Sequence, residues 1–169
     1  MLINQNPQEK RKNLKTCLNS GKLLRFPGSF SPFVAKLIEN EGFDGVYVSG
    51  ASLSADMGLP DIGLTSQTEV VTRSGQIAKA TMLPTIVDAD TGFGEPINAA
   101  RTITLLEEAG VSGCHIEDQR NPKRCGHLEN KEIISTHDMS QRIQAIVEAR
   151  TDKNFQVIAR TDARAIEGL

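Results

Sequence analysis

The chain has 169 residues, a formal net charge of −2, 38% hydrophobic residues and 24% charged residues. These values are typical of a globular domain and exclude collagen-like and intrinsically disordered chains. The charge is near neutral and the Lys and Arg residues are scattered, so no nucleic-acid partner is predicted. No apolar run approaches the ~18 residues of a membrane helix, so no membrane partner is predicted.

Residues 1–7 have no long apolar stretch, so no secretory signal is expected there. A helix is predicted over about 7–20, ahead of the first strand. Ser31 and Pro32 open the next helix, since Pro is favoured in the first turn, and Gly42 closes it. The run 66–69, Ser-Gln-Thr-Glu, has capping-box spacing and predicts the start of another helix.

Two further helices are predicted downstream. One starts near Glu95 and stops at Gly110, and its apolar spacing assigns an inner face to Ile97, Ala100, Ile103, Thr104 and Leu106. Another opens at Ser135, with an inner face formed by Met139, Ile143 and Ile146.

Short apolar runs between the helices predict the strands of a parallel sheet, because strands buried on both faces are continuously apolar. The runs cover residues 23–26, 45–48, 85–87, 114–116 and 156–159. Strands that alternate with helices indicate an α/β protein, either a doubly wound open sheet or a (β/α)₈ barrel.

Polar residues crowd the ends of nearly all these strands, at 49–50, 88–90, 117–118 and 160–162. Barrel enzymes build their sites in this way, whereas a doubly wound sheet concentrates its site at one switch point, usually with a glycine-rich phosphate loop that is absent from this sequence. The pattern therefore favours the barrel. A barrel needs eight strands and about 250 residues, so residues 1–169 are expected to form one incomplete barrel domain of about five βα units.

Asp88 and Asp90 stand two residues apart at the end of the third predicted strand. In an extended chain such side chains point to the same side, so both carboxylates can approach one Mg²⁺ ion. The following glycines, Gly92 and Gly94, allow the backbone to come close to a ligand. A strand-end turn in which Asp acts as a cap explains the same residues.

Cys125 has Lys123, Arg124 and His127 as near neighbours. Cationic surroundings lower the pKa of a thiol and make it usable as a nucleophile or acid. A basic surface loop with an incidental cysteine is the plain alternative, and a zinc site falls short of four ligands. Cys17 and Cys114 are given no chemical role, and three widely spaced cysteines form no disulfide framework, which favours a reducing cytoplasm.

Four other side chains have a second interpretation or no assigned role. Arg160 suits a bidentate carboxylate clamp, although an exposed ion pair is equally compatible with its position. Tyr47, the single tyrosine, is typical of a packed strand residue rather than a base. His115 and His137 are assigned no role.

Residues 123–127, Lys-Arg-Cys-Gly-His, resemble the cysteine signature of the isocitrate and methylisocitrate lyases, and residues 87–94 resemble the metal segment of the wider isocitrate lyase/phosphoenolpyruvate mutase superfamily. The resemblance runs from about residue 10 to the end and is closest to the methylisocitrate lyase branch. Further matching stretches fall in the expected order at 27–30, 45–50, 58–61, 115–119 and 159–163.

The resemblance implies Mg²⁺-dependent cleavage of 2-methylisocitrate, a tricarboxylate, into pyruvate and succinate during propionate breakdown. It implies Asp88 and Asp90 as metal ligands, with Asp61 and Glu117 contacting the ion through water. Cys125 would protonate the carbon that becomes succinate, with its pKa tuned by Lys123 and His127, and Tyr47 is the candidate base. The implied substrate contacts are Ser49, Gly50, Ala51, Cys125, Gly126 and Arg160.

Two departures and four alternatives accompany this interpretation. Ala51 replaces the second glycine of the family's Ser-Gly-Gly turn, and the later barrel strands are missing, so the chain is expected to be an N-terminal part with two open sheet edges. Isocitrate lyase activity, or an oxaloacetate- or phosphonopyruvate-directed activity, are enzymatic alternatives, the last two disfavoured by the cysteine signature. An inactive fragment is the non-enzymatic alternative. Full-length relatives are expected to be cytoplasmic homo-oligomers.

Overall fold

The computed structural model describes residues 6–168. Residues 1–5, most of the stretch predicted to contain no secretory signal, and Leu169 lie outside the described residues. The helices are α1 Pro7–Leu18, α2 Pro32–Asn40, α3 Gly50–Asp56, α4 Gln67–Ala80, α5 Pro96–Glu108, α6 Thr136–Ala149 and α7 Arg164–Glu167. The strands are β1 Gly28–Ser29, β2 Val46–Val48, β3 Thr85–Asp88, β4 Gly113–Glu117 and β5 Gln156–Arg160.

The five strands form one parallel sheet in the order β1-β2-β3-β4-β5. Each strand is hydrogen-bonded to the one that precedes it along the chain, so the winding never reverses. A doubly wound sheet would carry a later strand on the free side of β1. The topology therefore confirms the α/β, barrel-type prediction, with β1 and β5 as the two edges of a partial barrel.

Local capping signals correctly located three helix starts. The Ser31 and Ser135 hydroxyls accept hydrogen bonds from Val34 N at 3.3 Å and Asp138 N at 3.1 Å. Ser66 forms the full capping box, in which its hydroxyl accepts from Glu69 N while its own N–H donates to the Glu69 carboxylate at 2.8 Å. These bonds satisfy amides that have no partner inside the helix.

The first predicted strand was wrong. Residues 23–26 are irregular, Leu23 is 88% exposed, and β1 begins two residues later. The segment already runs beside β2, since Tyr47 N donates to Pro27 O at 3.0 Å. Pro27 has no N–H to give back, so a regular ladder starts only after it. The short helices α3 and α7 were not predicted.

The predicted inner face of α5 was correct at Ile103 and Leu106 and wrong at Ile97 and Thr104, which are exposed. Ile97 is 78% exposed, and the face that meets the core carries Ala99, Ile103 and Leu106, all fully buried. The prediction for α6 was correct, because Ile146 is fully buried and its predicted companions pack against the same core. The apolar positions of α5 allow two faces, and only the path of the chain selects one.

The core lies between the sheet and its helices. Side chains alternate across a strand, so Val46, Val48, Val87, Cys114 and Ile116 face the helices and are fully buried. The alternate residues of the same strands face the interior of the partial barrel, where the polar groups collect. Among residues 6–168, no helix combines the length and apolarity that crossing a membrane requires.

Helix α1 lies across the end of the sheet where the strands begin. The Lys10 ammonium donates to Ala78 O at 2.7 Å, near the C-terminal end of α4. The Arg11 guanidinium donates to Glu107 O at 2.5 Å, at the end of α5, and to Val111 O at 2.9 Å. Leu14 is buried beside them. These contacts supply partners for carbonyls that the helix ends leave free, and they leave the opposite end of the sheet open.

Candidate active site

The polar residues of four strands meet at the carboxyl end of the sheet. In the parallel register Asp88 of β3 is opposite His115 of β4, and Glu117 of β4 is opposite Arg160 of β5. Tyr47 of β2 faces the same interior and contacts His115. The sheet therefore gathers residues that are more than a hundred positions apart in the sequence, as a barrel site requires.

Asp88 and Asp90 are both buried and close together, although not by strand alternation as expected. Strand β3 ends at Asp88, and Asp90 adopts a left-handed backbone with φ 48° that turns its N–H to Asp88 Oδ1 at 3.2 Å. Gly50 N donates to Asp88 Oδ2 at 3.3 Å. A Cβ on Gly50 would lie 3.0 Å from Asp88 Oδ2 and 3.5 Å from Asp90 Oδ1, so the glycine keeps open the space that both carboxylates border.

The Lys123 ammonium lies between two carboxylates. It contacts Asp90 Oδ1 at 2.6 Å and forms an ion pair and hydrogen bond with Asp61, while its side chain is only 4% exposed. Burial by itself lowers the pKa of Lys123, but the attraction of Asp90 and Asp61 outweighs it and the net shift is upward. The ammonium is thus turned toward the carboxylates rather than toward Cys125, whose pKa it was expected to tune.

The cluster of carboxylates formed by Asp61, Asp88, Asp90 and Glu117 has the chemistry of a site for a hard cation. Burial and the neighbouring Asp88 raise the pKa of Asp90 to about 6, and burial raises that of Glu117 to about 8 despite Arg160. Glu117 Oε1 is buried without a hydrogen-bond partner among residues 6–168, and Asp90 Oδ1 is buried with the Lys123 ammonium as its neighbour. Such oxygens suit Mg²⁺, which takes one or two carboxylates and keeps waters for the rest. Within the same described range, no three His, Cys, Asp or Glu side chains converge as a complete cage.

Tyr47 and His115 form a stacked pair beside Asp88. Their ring centroids are 5.4 Å apart, the Tyr47 hydroxyl contacts His115 Nε2, and that nitrogen lies 3.7 Å from Asp88 Oδ1. Burial, reinforced by Asp88, raises the pKa of Tyr47, which disfavours the tyrosinate that a base would need. Burial also lowers the pKa of His115 and favours its neutral form. Sequence reasoning gave His115 no role, although its place two residues before Glu117 puts both on one face of β4.

Cys125 is half-buried in the loop that follows β4. Its Sγ lies 3.7 Å from His127 Nδ1, and its backbone N–H donates to Asp61 O at 3.0 Å. The second contact ties the cysteine to the segment that holds Lys123. The structure therefore brings the predicted cysteine and the predicted metal segment to one region through Asp61.

Arg160 reaches from the end of β5 toward the same loop. Its Nη1 lies 3.1 Å from Glu117 Oε2 and its Nη2 lies 3.2 Å from Asp162 Oδ1, so both sides of the guanidinium already hold carboxylates. A Cβ on Gly126 would lie 2.2 Å from Arg160 Nη2. A side chain at position 126 would therefore displace the guanidinium from its observed position.

The predicted substrate-binding turn, residues 49–51, starts α3. Ser49 is its N-cap and accepts from Ser52 N at 3.3 Å, Gly50 is buried against Asp88, and Ala51 is exposed. The Ser49 hydroxyl therefore has a structural role in addition to the predicted one. Cys17 is exposed on α1 and Cys114 is buried in the core.

Comparison with known proteins places the chain in a family. The profile of the phosphoenolpyruvate phosphomutase family matches residues 14–167. A "Probable 2-methylisocitrate lyase 2" of Corynebacterium glutamicum is 58% identical over 163 residues, which covers 96% of this chain and 53% of the relative. The chain thus spans about half the length of the curated relatives it matches.

Solved structures agree with this placement. A crystal structure of 2,3-dimethylmalate lyase, described as a PEP mutase/isocitrate lyase superfamily member, superposes with a TM-score of 0.90 at 35% identity, covering 95% of this chain and 55% of that one. A phosphonopyruvate hydrolase complexed with oxalate and Mg²⁺ superposes with a TM-score of 0.85 at 35% identity, covering 91% of this chain and 53% of that one. Both matches include nearly all of the sheet and helices described above.

Proposed function

The chain belongs to the phosphoenolpyruvate mutase/isocitrate lyase superfamily, and we propose that it carries the metal and cysteine half of the active site of a Mg²⁺-dependent methylisocitrate lyase. The proposed reaction is cleavage of 2-methylisocitrate into pyruvate and succinate. The observation that carries the proposal is the convergence of the buried Asp88 and Asp90 carboxylates with the Cys125 loop at one end of the sheet. The 58% identity to a probable 2-methylisocitrate lyase supports the choice of substrate.

Asp88 and Asp90 are the proposed Mg²⁺ ligands, with Glu117 and Asp61 contacting the ion through water. Support comes from Glu117 Oε1, which is buried without a hydrogen-bond partner among the described residues, and from the space beside Gly50 that the Asp88 and Asp90 carboxylates border. When bound, Mg²⁺ would stabilise the negative charge on the oxygens of the part that becomes pyruvate. The Lys123 ammonium contributes a further positive charge at Asp90.

The carbon–carbon bond breaks as the substrate hydroxyl loses its proton, and the electron pair passes to the carbon that becomes succinate. Cys125 is the proposed acid that protonates this carbon, and His127, 3.7 Å from its sulfur, is placed to influence the thiol. The proton of the substrate hydroxyl is proposed to be removed beside Tyr47. The raised pKa of Tyr47 suits a neutral hydrogen-bond donor, and its hydroxyl contacts His115.

Substrate carboxylates are proposed to bind where Arg160 and the backbone of Gly126 meet. Arg160 keeps 32% of its side chain exposed, and a guanidinium can bind a carboxylate through two parallel N–H groups. Residues 49–51 complete the proposed contacts through hydroxyl and backbone groups. The three free cysteines fit a reducing cytoplasm, and self-association into a homo-oligomer is proposed for the complete protein.

The test measures pyruvate released from 2-methylisocitrate by the purified chain, with Mg²⁺ and with EDTA. Metal-dependent release that disappears in Cys125→Ser and persists in the control Cys17→Ser supports the proposal. Cys17 lies exposed on α1 and is a matched thiol outside the site. Faster turnover of isocitrate would contradict the choice of substrate, and the absence of pyruvate would contradict activity of this chain alone.

A further inference from the structure

The loop that carries Cys125, residues 120–132, is closed at its base like a hairpin. We call it the signature loop. Arg120 N donates to Glu132 O at 2.8 Å, and Gln119 and Ile133 form an antiparallel bridge. Ile134 N then donates to Asp118 O at 2.9 Å. These bonds fix the two ends of the loop, but they do not determine where its middle lies.

The side chain of Gln119 holds the middle of the signature loop from within. Its Oε1 accepts from Arg124 N at 2.9 Å, and its Nε2 donates to Arg124 O and to Asp162 Oδ2, each at 2.9 Å. Gln119 is 1% exposed. Because Arg124 N can only donate and its carbonyl can only accept, the amide has one orientation that satisfies every contact. The residue directly before Cys125 is thereby gripped on both of its backbone groups.

Asp162 connects this grip to Arg160. Its carboxylate lies 3.2 Å from Arg160 Nη2 and 3.7 Å from the Lys131 ammonium, and Lys131 in turn donates to Gly126 O at 2.5 Å. Its backbone N–H donates to Asp118 Oδ1 at 2.9 Å, which anchors the segment after β5 to the segment after β4. One carboxylate thus contacts the proposed substrate clamp Arg160, the Gln119 amide and Lys131 of the signature loop.

We propose that Gln119 and Asp162 are positioning residues that register the Cys125 thiol against the Arg160 guanidinium. This role rests on the proposed function, because it assigns Cys125 and Arg160 to one reaction. Neither residue touches Cys125 Sγ, so each acts through the backbone of residues 124–126. A hydrogen-bonded bracket of this kind supplies the preorganisation that a proton donor needs at a fixed distance from its substrate.

The test uses Gln119→Met in the full chain, on a Cys17→Ser background so that Cys125 is the accessible thiol, Cys114 being fully buried. Methionine keeps the size of the side chain and removes its three hydrogen bonds. Hydrogen exchange of residues 120–132 and the alkylation rate of Cys125 are both expected to rise roughly 10- to 100-fold, as two or three lost hydrogen bonds predict. Exchange in α4 and α5 is expected to stay unchanged, which separates positioning from a general loss of stability.

Gln144→Met is the matched control, since Gln144 is an exposed glutamine of α6 that donates only to Glu148 among the residues described. Rates in Gln119→Met within about twofold of this control would overturn the proposal. If Gln119→Met does not fold, Asp162→Asn provides the same measurement: it removes the charge opposite Arg160 and Lys131, and faster exchange confined to residues 120–132 is expected. Parent-like rates in that variant would also overturn the proposal.

These measurements need no substrate, so they distinguish the two proposals. Fast loop exchange in Gln119→Met, together with a parent chain that releases no pyruvate, would support the positioning role and remove the proposed activity of the chain. If the parent releases pyruvate and neither substitution changes exchange in the signature loop, the proposed activity is supported and the positioning role is refuted. Where the parent is active, Gln119→Met is expected to lower kcat more than it raises KM.

Discussion

Replacing Lys123 with Met should destabilise the chain strongly in the absence of metal. The ammonium is 4% exposed and neutralises Asp61 and Asp90, whose side chains are 15% and 7% exposed. Removing one partner of a buried ion pair leaves an uncompensated charge and typically costs about 3–5 kcal/mol. For a chain of this size, each kcal/mol shifts Tm by roughly 2–4 °C, so the expected fall is roughly 6–20 °C.

The assay is thermal unfolding followed by circular dichroism, in EDTA and in excess Mg²⁺. If the carboxylates form a cation site, Mg²⁺ should replace the lost positive charge and raise the Tm of Lys123→Met by more than it raises that of the parent. The two measurements therefore test the ion pair and the metal site separately. Activity is not needed for either.

Lys36→Met is the matched control, because Lys36 pairs with Glu39 at 2.9 Å but is 52% exposed. An exposed pair is worth at most about 1 kcal/mol, so this variant should melt within about 4 °C of the parent. Equal losses in the two variants would refute the argument that burial makes the Lys123 pair costly to break. A Lys123→Met chain insensitive to Mg²⁺ would refute the cation site.

Two further predictions concern other parts of the molecule. Gly50→Ala places a methyl group 3.0 Å from Asp88 Oδ2 and should weaken Mg²⁺ binding about tenfold, as measured by calorimetry. Gly28→Ala is the control, because its Cβ would meet its nearest atom at 3.9 Å. Equal Mg²⁺ affinities in the two variants would contradict the steric argument. Burial lowers the pKa of Lys10 from 10.5 to about 8. Between these values the unfolded chain holds the proton that the folded chain has lost, so unfolding free energy should rise from pH 8 to 10.5. Urea titrations should show this rise in the parent but not in Lys10→Met, and parallel curves would contradict it.

The elements that the sequence predicted well are those controlled by local rules. Ser31, Ser66 and Ser135 mark helix starts because each hydroxyl accepts a hydrogen bond from the amide three residues further on. Strands β2 to β5 were located within one or two residues because strands covered on both faces are continuously apolar. The concentration of polar residues at strand ends predicted a barrel-type sheet, because parallel strands bring these ends to one edge.

Local rules failed where the outcome depended on distant partners. The first strand moved to Gly28 because Pro27 cannot complete the ladder with β2, and α5 turned Ala99 rather than Ile97 to the core because its neighbours selected one of two apolar faces. Asp90 joined Asp88 through a left-handed turn and not through strand alternation. None of these choices is encoded within a window of a few residues.

The sequence by itself determined the family, the α/β class and the candidate groups Asp88, Asp90 and Cys125, because each depends on residue types at short, fixed spacings. Only the tertiary structure decided their partners. Lys123 meets Asp61 across 62 positions, and Gln119 meets Asp162 across 43. A buried charge or amide takes whichever complementary group the parallel register and the loop path bring within hydrogen-bond distance, and that pairing exists only once the sheet has formed.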